Sequence, residues 1–253
     1  MITDTTEKGL EDVIIAVMTG QATPVPDIVY ESPPSYGGPH WISGQRDDYN
    51  REYAVDLVQL AAFLTATQPD TAEVLALHED SSGRRKFLDR LQGEITRRGT
   101  IDVLRKGVKH GPHQIDLFYG TPSVGNPKAA ERHAANRFTI TRQLQYSRDE
   151  TTLALDLTLF VNGLPIATFE LKNSLTKQTV ADAVEQYQRD RNPRELLFQF
   201  GRCIAHFAVD DQEVRFCTQL TGKGSWFLPF NHGWHDGAGS AVVHLSAFLN
   251  AQS

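Results

Sequence analysis

With only two cysteines, Cys203 and Cys217, in 253 residues, the chain cannot be a disulfide scaffold or a cysteine-rich metal module. Both thiols fall in a predicted hairpin and read as buried and reduced. No apolar run approaches the ~20 residues that span a bilayer. The N-terminus has no basic stretch leading into an apolar run and cleavage site, so no secretory leader is expected. A cytoplasmic setting without membrane contact follows as the expectation. Gly222-Lys223 lacks the Gly-x-x-x-x-Gly-Lys-Ser/Thr spacing of a phosphate loop, and no other nucleotide motif is present. ATP-driven motion is therefore not expected of this chain.

A surplus of positive charge is missing as well, since the net charge is −6. The distribution says more than the total. Residues 1–80 hold 14 acids and 3 bases, whereas residues 81–148 hold 14 bases and 5 acids. A basic stretch of this kind, including Arg84, Arg85, Lys86, Arg97, Arg98, Arg105, Lys106 and Lys109, can contact phosphates. At 40% hydrophobic the chain has material for a full core.

What is present in abundance is alternation. Leu153, Leu155, Leu157, Leu159 and Val161 share one strand face, and Ala154, Asp156, Thr158 and Phe160 share the other. On the return, Pro165, Ala167, Phe169 and Leu171 oppose Ile166, Thr168, Glu170 and Lys172. Asn162-Gly163 between the runs signals a hairpin. A two-residue turn would pair Val161 with Leu164 and place Asp156 opposite Phe169. A three-residue loop, Asn162-Gly163-Leu164, would pair Val161 with Pro165 and Asp156 with Glu170. Only the second keeps apolar with apolar, so the spacing predicts the longer loop, with Gly163 left-handed in a bulge. Two opposed carboxylates repel unless a cation lies between them. Paired acids beside a lysine are what metal-assisted phosphodiester cleavage uses.

Around this hairpin the pattern predicts helices over 5–19, 50–66, 70–79 and 81–98. Asp4 and Gly20 would bound the first, and Phe87, Leu88, Leu91 and Ile95 would turn inward on the last. Glu7 and Glu11 share a face of the first helix and read as exposed acids. Residues 21–48 read as a loop or arm, and 101–119 as strands broken at His110-Gly111-Pro112-His113. That turn carries two incidental histidines. Asn126-Pro127 starts a short helix, residues 138–146 form a strand, and Val180, Ala183, Val184 and Tyr187 mark a helix. A second hairpin spans 203–219 around Asp210-Asp211. The expected fold class is α/β (α+β), a mixed sheet flanked by helices with an N-terminal helical arm. The expected division is 1–100 helical, 101–240 core and 241–253 tail.

The triplet Glu170-x-Lys172 with Asp156 resembles the PD-(D/E)xK nuclease superfamily. The surrounding FVNGLPIATFELKNSLTKQTVADAVEQYQRDRNPRELLFQF (160–200), HFAVDDQEVRF and TGKGSWFLPFN are similar to the N-terminal nuclease domain of type I restriction endonuclease R subunits (HsdR). The resemblance runs from near residue 1 to about 240. It implies a restriction-endonuclease-like fold and Mg²⁺-dependent cleavage of double-stranded DNA. Asp156 and Glu170 would be metal ligands and Lys172 the catalytic lysine. It also implies work in a complex with methyltransferase and specificity subunits, and an ATP-driven translocase in the full-length family.

Leu155 stands where the superfamily name has proline. Gln186 is followed at once by Tyr187, so the family's Gln-x-x-x-Tyr element is not intact, and Gln186 is kept as a further catalytic position near the scissile strand. The ending GAGSAVVHLSAFLNAQS departs where R subunits continue toward the translocase, so the chain is expected to be a fragment. A second reading stays open: an inactive remnant that serves only as a DNA-binding or subunit-docking module.

Overall fold

Strand alternation in the middle of the chain sets up the architecture. The structure, a computed structural model, describes residues 7–20, 41–173 and 176–230. Helix α1 (Glu7–Met18) precedes three short strands, β1 (Ile42–Ser43), β2 (Tyr49–Asn50) and β3 (Val55–Asp56). Helices α2 (Leu57–Thr67), α3 (Pro69–Leu75) and α4 (Ser82–Lys106) follow, then β4 (Val108–His110), β5 (His113–Ile115) and α5 (Pro127–Ala134). The long strands are β6 (Phe138–Gln145), β7 (Ala154–Val161) and β8 (Leu164–Leu171). Helix α6 (Val180–Arg189) leads to β9 (Ala205–Val209), β10 (Val214–Cys217) and β11 (Leu228–Pro229).

Among the described residues, seven strands form one mixed sheet in the order β1-β6-β7-β8-β9-β10-β11. The β6, β7 and β8 neighbours are antiparallel, while β8 and β9 run parallel with α6 as the crossover that parallel neighbours require. The result agrees with the expected restriction-endonuclease-like mixed sheet flanked by helices.

The two sheet faces bury different partners. On one face, Leu10, Ile14, Ile15 and Met18 of α1 pack on Ile140, Leu157 and Leu171. On the other, Tyr187 of α6 packs with Leu144, Leu155, Phe160 and Phe198, and Val180 and Ala183 meet Ala208. A third core joins Phe63, Leu64, Phe87, Leu88, Leu91 and Ile95 to Ile115, Leu117 and Leu164. Each such side chain contributes ~1.5–3 kcal/mol through removal from water. Leu164, the first residue of β8, ties the helical region to the sheet.

The hairpin reaches the expected register by an unexpected route. Val161 pairs with Leu164, so the turn has two residues, not three. Asn162 and Gly163 both carry positive φ, +50° and +82°, the pattern of a turn whose twist suits a hairpin. The slip is then corrected inside β8. Phe160 pairs with Pro165 but Leu159 with Ala167, leaving Ile166 as an extra residue in a bulge. Beyond it the pairs are Leu157–Phe169 and Thr158–Thr168, as the apolar pattern requires.

The turn itself is buried. Asn162 donates to Leu117 O (2.9 Å) and Asn136 Oδ1 (3.0 Å) and accepts from Arg137 N (2.6 Å). Gly163 lies against the start of α2, where an added Cβ would come 2.4 Å from Asp56 O and 2.7 Å from Leu60 N. Gly163→Ala is therefore expected to cost roughly 2–4 kcal/mol, from strain at positive φ plus the clash. Equilibrium urea unfolding measures it, and a loss below about 1 kcal/mol would contradict the packing described.

Three local readings are corrected. Residues 50–56 form the β2–β3 hairpin, and α2 starts at Leu57, capped by Asp56 accepting from Gln59 N at 3.0 Å. Residues 101–106 are helical, not a strand. Gly99 leaves helical geometry with φ +79°, and the chain resumes as helix after Thr100 bonds Gly201 O through N (2.8 Å) and Arg202 O through Oγ1 (2.6 Å). Those long-range bonds override the strand preference of Thr100, Ile101 and Val103. The third reading concerns Glu11, which is 4% exposed and not a surface acid.

Other expectations hold. Helix α1 ends at Met18, and Gly20 follows in the turn with φ +71°. Asn126 caps α5 through Ala129 N (3.0 Å), β9 pairs with β10, and both cysteines are buried and free. The Asp4 cap, residues 21–40 of the arm and the tail 241–253 lie outside the described residues, while Ile42–Ser43, read as part of the arm, instead form β1 beside β6.

Candidate active site

The long strands stop pairing where the acids begin. The β7–β8 ladder ends at Leu157–Phe169, one residue short of Asp156 and Glu170. In the opening, Asp156 takes over the missing backbone partner, its Oδ2 accepting from Leu171 N at 2.7 Å. Its Oδ1 accepts from Gln143 Nε2 at 3.2 Å. Asp156 is thus held by the edge of β8 on one side and by β6 on the other, and it stays half-buried.

Glu170 points to the α6 face and is fully buried. Oε1 accepts from Arg191 Nε at 2.6 Å. Oε2 is also buried and has no hydrogen-bond partner among the described residues. Burial pushes the carboxyl up to about 8, against the pull of Arg191, and neighbouring Asp156 adds to the rise. Arg191, just beyond α6, is itself held by Ala154 O (2.8 Å) and lies over the Tyr146 ring. Lys172 offsets part of the Glu170 charge, but the close ion pair is with Arg191, 21 residues away, where no local spacing marks it.

Lys172 follows β8, 8% exposed, with its backbone N bonded to Val209 O at 2.8 Å. Its charge lowers the cost of ionising both Glu170 and Asp182. Gln186 is half-buried on α6, beside a cleft of about 700 Å³ that Ala154 and Arg191 also line. The structure therefore places Asp156, Glu170 and Lys172 at one end of β7 and β8, whereas Gln186 lines a separate cleft that none of the three lines.

Glu11 is the acid that the sequence reading set aside. Its carboxylate accepts from Gln143 Nε2 and pairs with Arg142 at 3.3 Å. Burial pushes it up, as does Asp156, while Gln143 and Arg142 oppose the rise. An amphipathic helix hides such an acid from a sequence reading because exposed glutamates are the commoner case.

A second buried polar row lies one step along the same strands. Thr168 Oγ1 bonds Tyr187 OH and His206 Nδ1, both at 2.8 Å. Burial lowers the imidazole from 6.5 to about 3, so His206 is neutral in the fold. The unfolded chain binds this proton between those values, so the stability it contributes is lost as pH falls below 6.5. The stability gap between wild type and His206→Asn is expected to shrink by ~2 kcal/mol from pH 7 to pH 5. Urea titrations of both proteins at the two pH values measure it, and a constant gap would reject a neutral buried histidine.

Among the described residues, no three His, Cys, Asp or Glu side chains gather as a ready cation cage. Mg²⁺ does not need one, because it commonly binds through one or two carboxylates and keeps its waters. Asp156 and the Glu170 Oε2 are oxygen donors of the kind such an ion takes. No helix among the described residues is long and apolar enough to cross a membrane.

Curated proteins offer no match to the chain. The family model for the type I restriction enzyme R protein N terminus matches residues 51–225, more than half of the sequence and all of the positions above except Glu11. The chain belongs to the family of type I restriction enzyme R protein N termini.

Proposed function

We propose that this chain is the DNA-cleaving domain of a type I restriction R subunit, and that it hydrolyses phosphodiesters of double-stranded DNA with Mg²⁺. The observation that carries the reading is the opened end of β7 and β8. There Asp156 and Lys172 both lie near enough to Glu170, which keeps one unbonded oxygen, to act on its ionisation. Mg²⁺, when bound, polarises the phosphate and makes a water more acidic. Asp156 and Glu170 hold the ion, and Arg191 fixes Glu170 through one oxygen while leaving the other available. Lys172 supplies a positive charge for the oxygens that become more anionic in the transition state. Gln186, which lines a cleft with Arg191, would contact the DNA strand on the α6 side.

In this reading the methyltransferase and specificity subunits are the partners, and target recognition lies outside this chain. Supercoiled plasmid incubated with the purified chain and Mn²⁺ or Mg²⁺ should be nicked, and Asp156→Asn should remove the nicking. Equal nicking by wild type and Asp156→Asn would reject the assignment.

Two observations favour the alternative of a docking or DNA-binding remnant. Arg191 already occupies one oxygen of Glu170, and much of the basic charge of α4 is spent internally, with Arg90, Arg97 and Arg98 on Glu94. A metal titration separates the two, since a remnant binds neither Mn²⁺ nor Mg²⁺ at Asp156.

A further inference from the structure

Gln143 has a backbone that its position does not explain. Its φ is +48°, in the left-handed region, in the middle of β6. The other described non-glycine residues with positive φ (Ala54, Ala76, Asn162 and Lys177) sit in turns or at a helix end. A side chain held this way costs ~1–3 kcal/mol and persists only where the surroundings impose it. It also breaks the ladder. Arg142 pairs with Leu157 and Leu144 with Leu155, but Gln143 and Asp156 between them do not pair.

The departure aims one amide at two acids. Gln143 Nε2 donates to Asp156 Oδ1 at 3.2 Å and to Glu11 Oε1. The acids come from β7 and α1, so the amide is the joint between the helix and the opened strand end. A neutral double donor suits this place. A lysine there would cancel the charge that attracts a cation, and a carboxylate would add repulsion. Gln143 also lines a cleft of about 610 Å³ with Glu11, Gly44 and Arg142, so the joint is reachable from the α1 side.

Building on the nuclease reading, we infer that Gln143 is a positioning residue. Its left-handed backbone holds the Asp156 carboxylate in place for a divalent cation, with Glu11 as its anchor. The residue acts through Asp156 and touches neither ion nor DNA.

The test uses Mn²⁺ affinity by calorimetry or electron paramagnetic resonance, together with metal-free thermal unfolding. Gln143→Gly removes both the amide and the strain. Its unfolding midpoint should equal or exceed wild type, while Mn²⁺ affinity falls by roughly tenfold or more. Gln143→Met keeps the length without the donors and should lose affinity to a similar degree, which covers the case of a glycine variant that folds poorly. Affinity within about twofold of wild type in both variants would overturn the inference while leaving the nuclease reading standing. Wild type that binds no Mn²⁺, or that binds it no better than Asp156→Asn, would take down both.

Discussion

Lys172→Ala is expected to lower metal-dependent DNA cleavage by roughly 10²–10³-fold or more, with little change in the unfolding midpoint. The ammonium group serves a transition state, in which charge grows on the phosphate oxygens. The backbone at Lys172 is tied to Val209 O at 2.8 Å whatever the side chain, and Glu170 keeps its bond to Arg191. The same logic separates the roles of neighbouring residues. Lys172→Ala should keep Mn²⁺ affinity and lose cleavage, whereas Asp156→Asn should lose both. Single-turnover cleavage of a labelled duplex, paired with metal calorimetry, reads the two effects separately. Cleavage by Lys172→Ala at the wild-type rate would remove the lysine from the mechanism.

The second large effect is on stability. Arg191→Met is expected to destabilise the metal-free protein by roughly 3–5 kcal/mol, because it leaves a buried carboxylate without its counter-charge. Glu170 is fully buried, and both of its oxygens would then lack a hydrogen bond. Ala154 O would lose its guanidinium donor as well. Glu170→Gln should also destabilise, since an amide oxygen still accepts from Arg191 but the buried guanidinium loses its counter-charge. Urea unfolding of both single variants and the double variant gives the coupling directly. Additive losses would mean that the two side chains do not interact as drawn. The pair also bears on activity, because Arg191 fixes which oxygen of Glu170 is left for a cation.

Much of the hairpin was legible without coordinates. Strict alternation over residues 157–161 and 165–172 reports which side chains share a face, because strand geometry turns every second residue the same way. Carried back to residue 153, it misplaces Leu153 and Leu155, which pack on the α6 face while Leu157 and Leu159 pack on the α1 face. The requirement that Leu157 meet Phe169 and Thr158 meet Thr168 then follows from burial, and the structure satisfies it. How it does so was not legible. The chain uses a tight Asn162-Gly163 turn and recovers the register at Ile166, because the turn must fit beneath Asp56 and Leu60 while the strand end must match β7. Either constraint alone permits the simpler loop.

By itself, the sequence determined the sheet's central strands, the inward faces of α4 and α6 and the reduced state of both cysteines. Each of these rests on neighbours within a few positions, where periodicity and spacing carry the information. The tertiary structure alone decided that Glu11 is buried, that Arg191 pairs with Glu170, that Gln143 leaves strand geometry, and that β1 runs parallel beside β6. Those outcomes join segments 21 to 132 residues apart. A charged residue facing such a partner has the same local pattern as one facing water, and only the folded chain distinguishes them.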